Sequence, residues 1–150
     1  LRHEVPGGGD HYDWFVQNPR DPGGVLRSFR VASADGVCAA LGVKTSHGET
    51  VTGAAVAAVQ ASAAGAANGR GQVVFEAERT PDHRNVYLAY EGEISGGRGS
   101  VRRVAAWQVG VVEWTDETLV LVGSDATVEV CGRRVAGARW EFRRGATGDG

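Results

Sequence analysis

The sequence predicts an all-β fold, an antiparallel sandwich or barrel. Two observations carry this. Apolar and polar residues alternate with period two over most of the chain, and the alternating runs are short and divided by glycine- and proline-rich turns. A third observation concerns chemistry: His3, then His11 and Asp13, gather at the start of the first strong run.

That run predicts a strand over residues 11–17. Side chains two apart share a face of a strand, so His11 and Asp13 stand on one side and Tyr12, Trp14 and Val16 on the other. The second face reads as core, the first as the wall of a polar pocket. Pro6 and the run Gly7, Gly8, Gly9 form a flexible connection that lets His3 fold back beside the pair. Residues 18–24 read as a turn, and 25–31 as a second strand in an antiparallel hairpin. Residues 35–72 form an Ala-rich, low-complexity insertion, expected to be partly helical or disordered. From Thr50 to Asn68 it has no charge, yet its Ala, Gly, Ser and Gln content gives too little hydrophobicity for a membrane span. Alternation then returns, predicting strands at 72–78, 85–91, 101–105, 106–113, 118–122, 127–131 and 136–143. Val86, Leu88 and Tyr90 share a face in the second of these. Ala136, Ala138, Trp140 and Phe142 form the apolar face of the last. Residues 145–150 read as a disordered tail.

One domain of 150 residues is long enough for a real core. A formal charge of −2 excludes a global basic field, so any nucleic-acid contact must come from a local patch. Cys38 and Cys131 lack metal or redox spacing and read as free thiols, which places the chain in a reducing, cytoplasmic compartment. No signal peptide is evident, no membrane contact is expected, and the chain is expected to be a monomer. Because the chain starts at Leu1 and enters its best motif at once, part of an N-terminal arm is expected to be missing.

Two imidazoles and a carboxylate are a common set of ligands for a divalent transition metal. Glu4 and Asp10 are alternative ligands, although Asp10 points to the wrong face. His83 stands where a loop enters a strand, and Tyr87 can line the same pocket. His11, Asp13 and His83 also satisfy the facial triad of a non-haem iron oxygenase, which leaves His3 spare. The stretch from Glu91 to Gly99 matches neither a P-loop nor a dinucleotide fingerprint and reads as a hairpin turn. Arg98, Arg102 and Arg103 form one basic cluster, and Arg133, Arg134, Arg139, Arg143 and Arg144 another. Solvated strand faces account for both.

Taken together, His3, His11-Tyr12-Asp13, Gly24-Val25-Leu26-Arg27-Ser28-Phe29, Asp82-His83 through Tyr87 to Tyr90-Glu91-Gly92, and Ile94 to Val101 stand in an order that resembles one family. It is the 3′-phosphoesterase domain at the N-terminus of bacterial DNA ligase D and its stand-alone relatives. The resemblance implies a small antiparallel β-barrel that uses Mn²⁺, or a similar divalent ion, to trim nucleic-acid 3′ ends in DNA repair. It removes a 3′-terminal ribonucleoside and then the 3′-phosphate. It implies His3, His11 and Asp13 as metal ligands and His83 and Tyr87 as catalytic residues. Arg84 and Arg98 are candidate phosphate contacts, and a DNA ligase or another end-joining protein is the implied partner. Phe15 stands where those domains carry a phosphate-binding arginine, and Ser33 where they carry a lysine. The alternatives are a non-catalytic module of the same fold that binds DNA ends or a repair partner, and, more distantly, the iron oxygenase.

Overall fold

The computed structural model describes residues 1–42, 73–123 and 128–146. Among them, ten strands form one antiparallel sheet: β1 (Arg2–Glu4), β2 (His11–Val16), β3 (Leu26–Val31), β4 (Val73–His83), β5 (Gly92–Glu93), β6 (Ser100–Arg102), β7 (Val109–Trp114), β8 (Thr118–Gly123), β9 (Val128–Ala136) and β10 (Arg139–Ala146). They lie in the order β5-β6-β1-β2-β3-β4-β10-β9-β8-β7. The all-β fold is as the alternation predicts. A closed barrel is not: β5 and β7 are edges, and no ladder joins them among the described residues.

The sheet curls instead. Trp14 and Val16 of β2 and Phe29 and Val31 of β3 meet Leu119 and Leu121 of β8 and Phe142 of β10 in one core. Arg27 of β3 crosses the concave face to donate to the Thr118 carbonyl at 3.4 Å, its guanidinium 4.1 Å from the centre of the Trp114 ring. Aromatic rings lock this centre: Trp14 lies 5.1 Å from Phe142, edge to face, and Phe75 stacks on Phe142 at 4.6 Å. Such pairs add about 1 kcal/mol each beyond their burial. The chain between β6 and β7 runs from near one edge of the sheet to the other, and its Trp107 packs on the core. Side chains rather than a ladder therefore cover the core here, which is why the strands expected at 101–105 and 106–113 shorten to β6 and β7. A cavity of about 430 Å³ remains between β2, the connection and the helix described next.

Part of the expected insertion belongs to this core. Helix α1 (Ala34–Leu41) starts at Ser33, whose Oγ accepts the Gly36 N–H at 3.3 Å, and Asp35 favours the positive N-terminal end of its dipole. Val37, Ala40 and Leu41 join the core, and α1 packs on β4 and β9. Residues 43–72, the rest of the insertion, lie outside the described residues.

Three further expectations change. Residues 85–91 are not a strand: Asn85–Leu88 is a 3₁₀ turn, with Tyr87 N–H on the Arg84 carbonyl. The Asn85 amide donates to the carbonyls of Pro22 and Gly24, pinning the segment to the β2–β3 loop and leaving Val86 57% exposed. The strand expected at 136–143 instead spans a hairpin, because Arg139 pairs with Ala136 across a two-residue turn. Trp140 and Phe142 keep their core face, whereas Ala136 and Ala138 are exposed. Finally, Gly145 and Ala146 of the expected tail belong to β10, and 147–150 lie outside the described residues.

Cys38 and Cys131 are both free thiols. Burial pushes the Cys38 thiol up to about 11, with Asp35 adding to the effect. A raised folded-state pKa means the thiol's contribution to stability is intact below its ordinary value of 9.0 and is lost as pH rises towards about 11. Native protein should therefore resist alkylation at Cys38 at pH 8, measured by mass spectrometry against urea-unfolded protein. A second outcome tests the core. A Cβ on Gly132 would overlap the Phe142 ring, whereas one on Gly110 meets nothing closer than 3.8 Å. Urea unfolding should show Gly132→Ala losing roughly 1–3 kcal/mol and Gly110→Ala within about 0.5 kcal/mol of wild type.

Candidate metal centre

The glycine run places β1. Gly7, Gly8 and Gly9 take φ of 86°, 97° and 96°, a left-handed stretch that residues with a Cβ rarely adopt. It reverses the chain so that His3 pairs with His11 and Arg2 with Tyr12. Asp10 fastens the loop by accepting from the Val5 N–H and the Arg2 guanidinium, each at 3.0 Å. These two contacts hold its carboxyl below the usual range, and they commit it to the loop rather than to a ligand role. Opposed residues on antiparallel strands project to one face. The two imidazoles accordingly stand 4.7 Å apart, and Asp13 adds its carboxylate beside them.

The outer ring nitrogens are tied to backbone. His11 Nδ1 lies 3.0 Å from the Gly9 carbonyl and His3 Nε2 lies 2.8 Å from the Arg98 carbonyl. A carbonyl only accepts, so both of these nitrogens carry their protons outward, and the neutral tautomer that this leaves turns each ring's lone pair inward. The Arg98 carbonyl reaches His3 because the turn before β6 approaches β1 closely. Gly99, at φ 94°, lies where any Cβ would overlap the Glu4 carbonyl.

The inward atoms fit a cation. His3 Nδ1 and His11 Nε2 are 3.2 Å apart, and Asp13 Oδ2 is 3.5 Å from the second and 3.9 Å from the first. Metal bonds of roughly 2.1 Å at tetrahedral or octahedral angles separate neighbouring donors by about 3.0–3.4 Å. The 3.2 Å edge matches, the 3.5 Å edge is just outside, and a small turn of the Asp13 carboxylate closes both of its edges. In that tautomer two lone pairs and a carboxylate held this close repel one another unless a proton or a metal ion lies among them. Backbone carbonyls fixing the outer N–H groups are the usual support of metal-binding histidines. The three side chains are 11–17% exposed, leaving one side open to further ligands.

His83 is not part of this trio. It stands one step along the face, its ring 4.9 Å from Phe15 and 5.7 Å from Tyr87, so the predicted His83–Tyr87 pair is assembled but Phe15 lies between it and the trio. Phe15, Ser28 and Thr80 are in register across β2, β3 and β4. Beneath this row Ser28 Oγ, Thr80 Oγ1 and His83 Nδ1 are buried without a hydrogen-bond partner among the described residues. Ser33, the other departure from the family pattern, is the cap of α1.

The two predicted phosphate contacts are turned elsewhere. The Arg98 guanidinium donates to Ser95, and Arg84 lies 5.7 Å over the Tyr87 ring. Arg103 is tied to the Leu88 carbonyl. In the C-terminal cluster, Arg134 pairs with Glu117 and Arg139 with Glu76. The cation that the structure brings to the trio is one that sequence reasoning missed. Arg30, in register with Asp13 on β3, places Nη2 3.4 Å from His11 Nε2. Its signal was the strand register alone, which alternation cannot supply. No family model, curated protein or solved structure matches this chain.

Gly99→Ala should lower Mn²⁺ affinity by roughly 10–100-fold, the usual cost of disturbing a ligand's supporting contact. Gly97→Ala, whose Cβ meets nothing within 4 Å, should retain it. Isothermal titration of both variants against wild type checks this.

Proposed function

We propose that the chain is a metal-dependent phosphoesterase that trims nucleic-acid 3′ ends, removing a 3′-phosphate or a 3′-terminal ribonucleotide. The observation that carries this is the trio His3, His11 and Asp13, with ligand atoms all within 4.8 Å of one another and both outer N–H groups held by carbonyls. Two imidazoles and a carboxylate suit a divalent transition metal, and Mn²⁺ is the ion that the resemblance implies. A divalent ion there would polarise a phosphoryl oxygen and lower the pKa of a bound water.

His83 and Tyr87 lie on the substrate side of this face, where an imidazole can hold a phosphoryl oxygen or carry a proton. The surrounding surface is mixed in charge, so recognition falls to the immediate neighbours of the trio rather than to a long basic groove. In this reading the protein acts in a reducing, cytoplasmic setting alongside a ligase or another end-joining partner. No helix among the described residues is long and apolar enough to cross a membrane.

One observation favours a second reading, a non-catalytic module that binds DNA ends. Phe15 packs on His83 and puts an apolar ring where a phosphate contact would help turnover. A single assay separates the two. With Mn²⁺ and a primer ending in a 3′-phosphate or one ribonucleotide, wild type should release the terminal group, and His11→Ala should lose at least about a hundredfold in rate. Equal rates for the two proteins would falsify the catalytic assignment. Mn²⁺-dependent end binding without release selects the module.

A further inference from the structure

Three acceptor atoms converge at the trio, and among the described residues the guanidinium of Arg30 is the side-chain cation that reaches them. We infer that Arg30 is the anion-binding arm of this centre. It rests on the His11 Nε2 lone pair until a cation takes that lone pair, and then turns outward to hold a phosphoryl oxygen. This rests on reading the trio as a metal centre, and not on which ester is cleaved.

The lone pair decides the exclusion. His11 Nδ1 is committed to the Gly9 carbonyl, so Nε2 is the one acceptor that the ring offers. It can serve the guanidinium or a metal ion, not both. A bound divalent cation would also repel the guanidinium, so loading the centre releases the arm.

Among the described residues, no other contact holds the Arg30 side chain. The side chain is exposed and makes no ion pair among the described residues, although Glu78 stands opposite it in register on β4. Its backbone is fixed between β2 and β4, so the swing needs only side-chain rotation. Neighbouring arginines are spent: Arg98 on Ser95, Arg103 on Leu88, and Arg79 on the Ser28 and Thr80 carbonyls and Asp82. A divalent ion more than offsets the charge of Asp13, and Arg30 adds another positive charge through a planar fork suited to two phosphoryl oxygens. Cation binding thus precedes and prepares anion binding.

The test uses the full chain, as wild type, Arg30→Gln and Arg30→Lys. Mn²⁺ affinity is read by electron paramagnetic resonance. Inorganic phosphate binding to the loaded protein is read by paramagnetic relaxation of the ³¹P signal. Expected are Mn²⁺ affinity in Arg30→Gln equal to or tighter than wild type, and phosphate affinity about tenfold weaker or more. Arg30→Lys, keeping the charge without the fork, should fall between. Retained Mn²⁺ shows that the variant is folded at the site. Phosphate affinity within about twofold of wild type overturns the inference while leaving the metal centre standing. Loss of Mn²⁺ in Arg30→Gln also overturns it, because Arg30 would then be a support of His11. If wild type itself binds no Mn²⁺, the metal reading falls and the inference falls with it.

Discussion

The register that sets His3 opposite His11 is the constraint on which the site depends. A strand's side-chain period is two, so a slip of one residue would send His3 to the core face and bring Arg2 or Glu4 to the pocket. β1 is only three residues long and cannot fix its own register by pairing. Three outside contacts fix it: the glycine loop fastened by Asp10, the β6 ladder on its far side, and the close approach of Gly99 to Glu4. A typical hydrogen bond is worth about 1 kcal/mol net, so no one of these would suffice. Together they hold electron-rich atoms at distances those atoms would not choose by themselves.

The curl of the sheet makes this possible without loosening the core. Along β2 the residues alternate between two tasks. Tyr12, Trp14 and Val16 face the concave side, where Trp14 is wedged against Phe29, Phe75 and Phe142. His11, Asp13 and Phe15 face the other side. The strand that carries two of the three side chains is therefore clamped by large aromatic contacts one residue away from each. Sites on rigid strands hold tighter geometry than sites on loops, and here the rigidity comes from the opposite face of the same strand.

Much of this was legible in the residues. The two-residue spacing of His11 and Asp13 fixed their common face, and Gly7 to Gly9 signalled that His3 could return to them. The alternation in the runs that became β2 and β10 identified Trp14, Val16, Trp140 and Phe142 as parts of a buried face. What could not be read was pairing at a distance. The 3₁₀ turn at Asn85–Leu88 alternates like a strand, and only the bonds from Asn85 to the β2–β3 loop show why it leaves the sheet. Ala136 and Ala138 continue the pattern of Trp140 and Phe142 across a turn that hydropathy does not see. Val37 to Leu41 resembles the low-complexity stretch that follows it, yet it closes part of the core. Composition could count the arginines but could not say which ones reach the trio.

That last point determines how a ligand can approach. Towards β6 the trio is bordered by the Arg98 carbonyl, whose partial negative charge disfavours an anion. Along β2 it is bordered by Phe15, which offers neither charge nor hydrogen bond and packs on His83. Towards β3 it is bordered by the guanidinium of Arg30. Two of these three walls are unfavourable to phosphate and the third is favourable, so an anionic ligand of a cation held here gains most by entering from the β3 side. On that path it meets Arg30 before it can reach His83. In the proposed reading, His83 would be reached only by a ligand long enough to pass the Phe15 ring. The asymmetry follows from the side chains at two positions, residue 15 of β2 and residue 30 of β3, carried on a register that the glycine loop and Gly99 enforce.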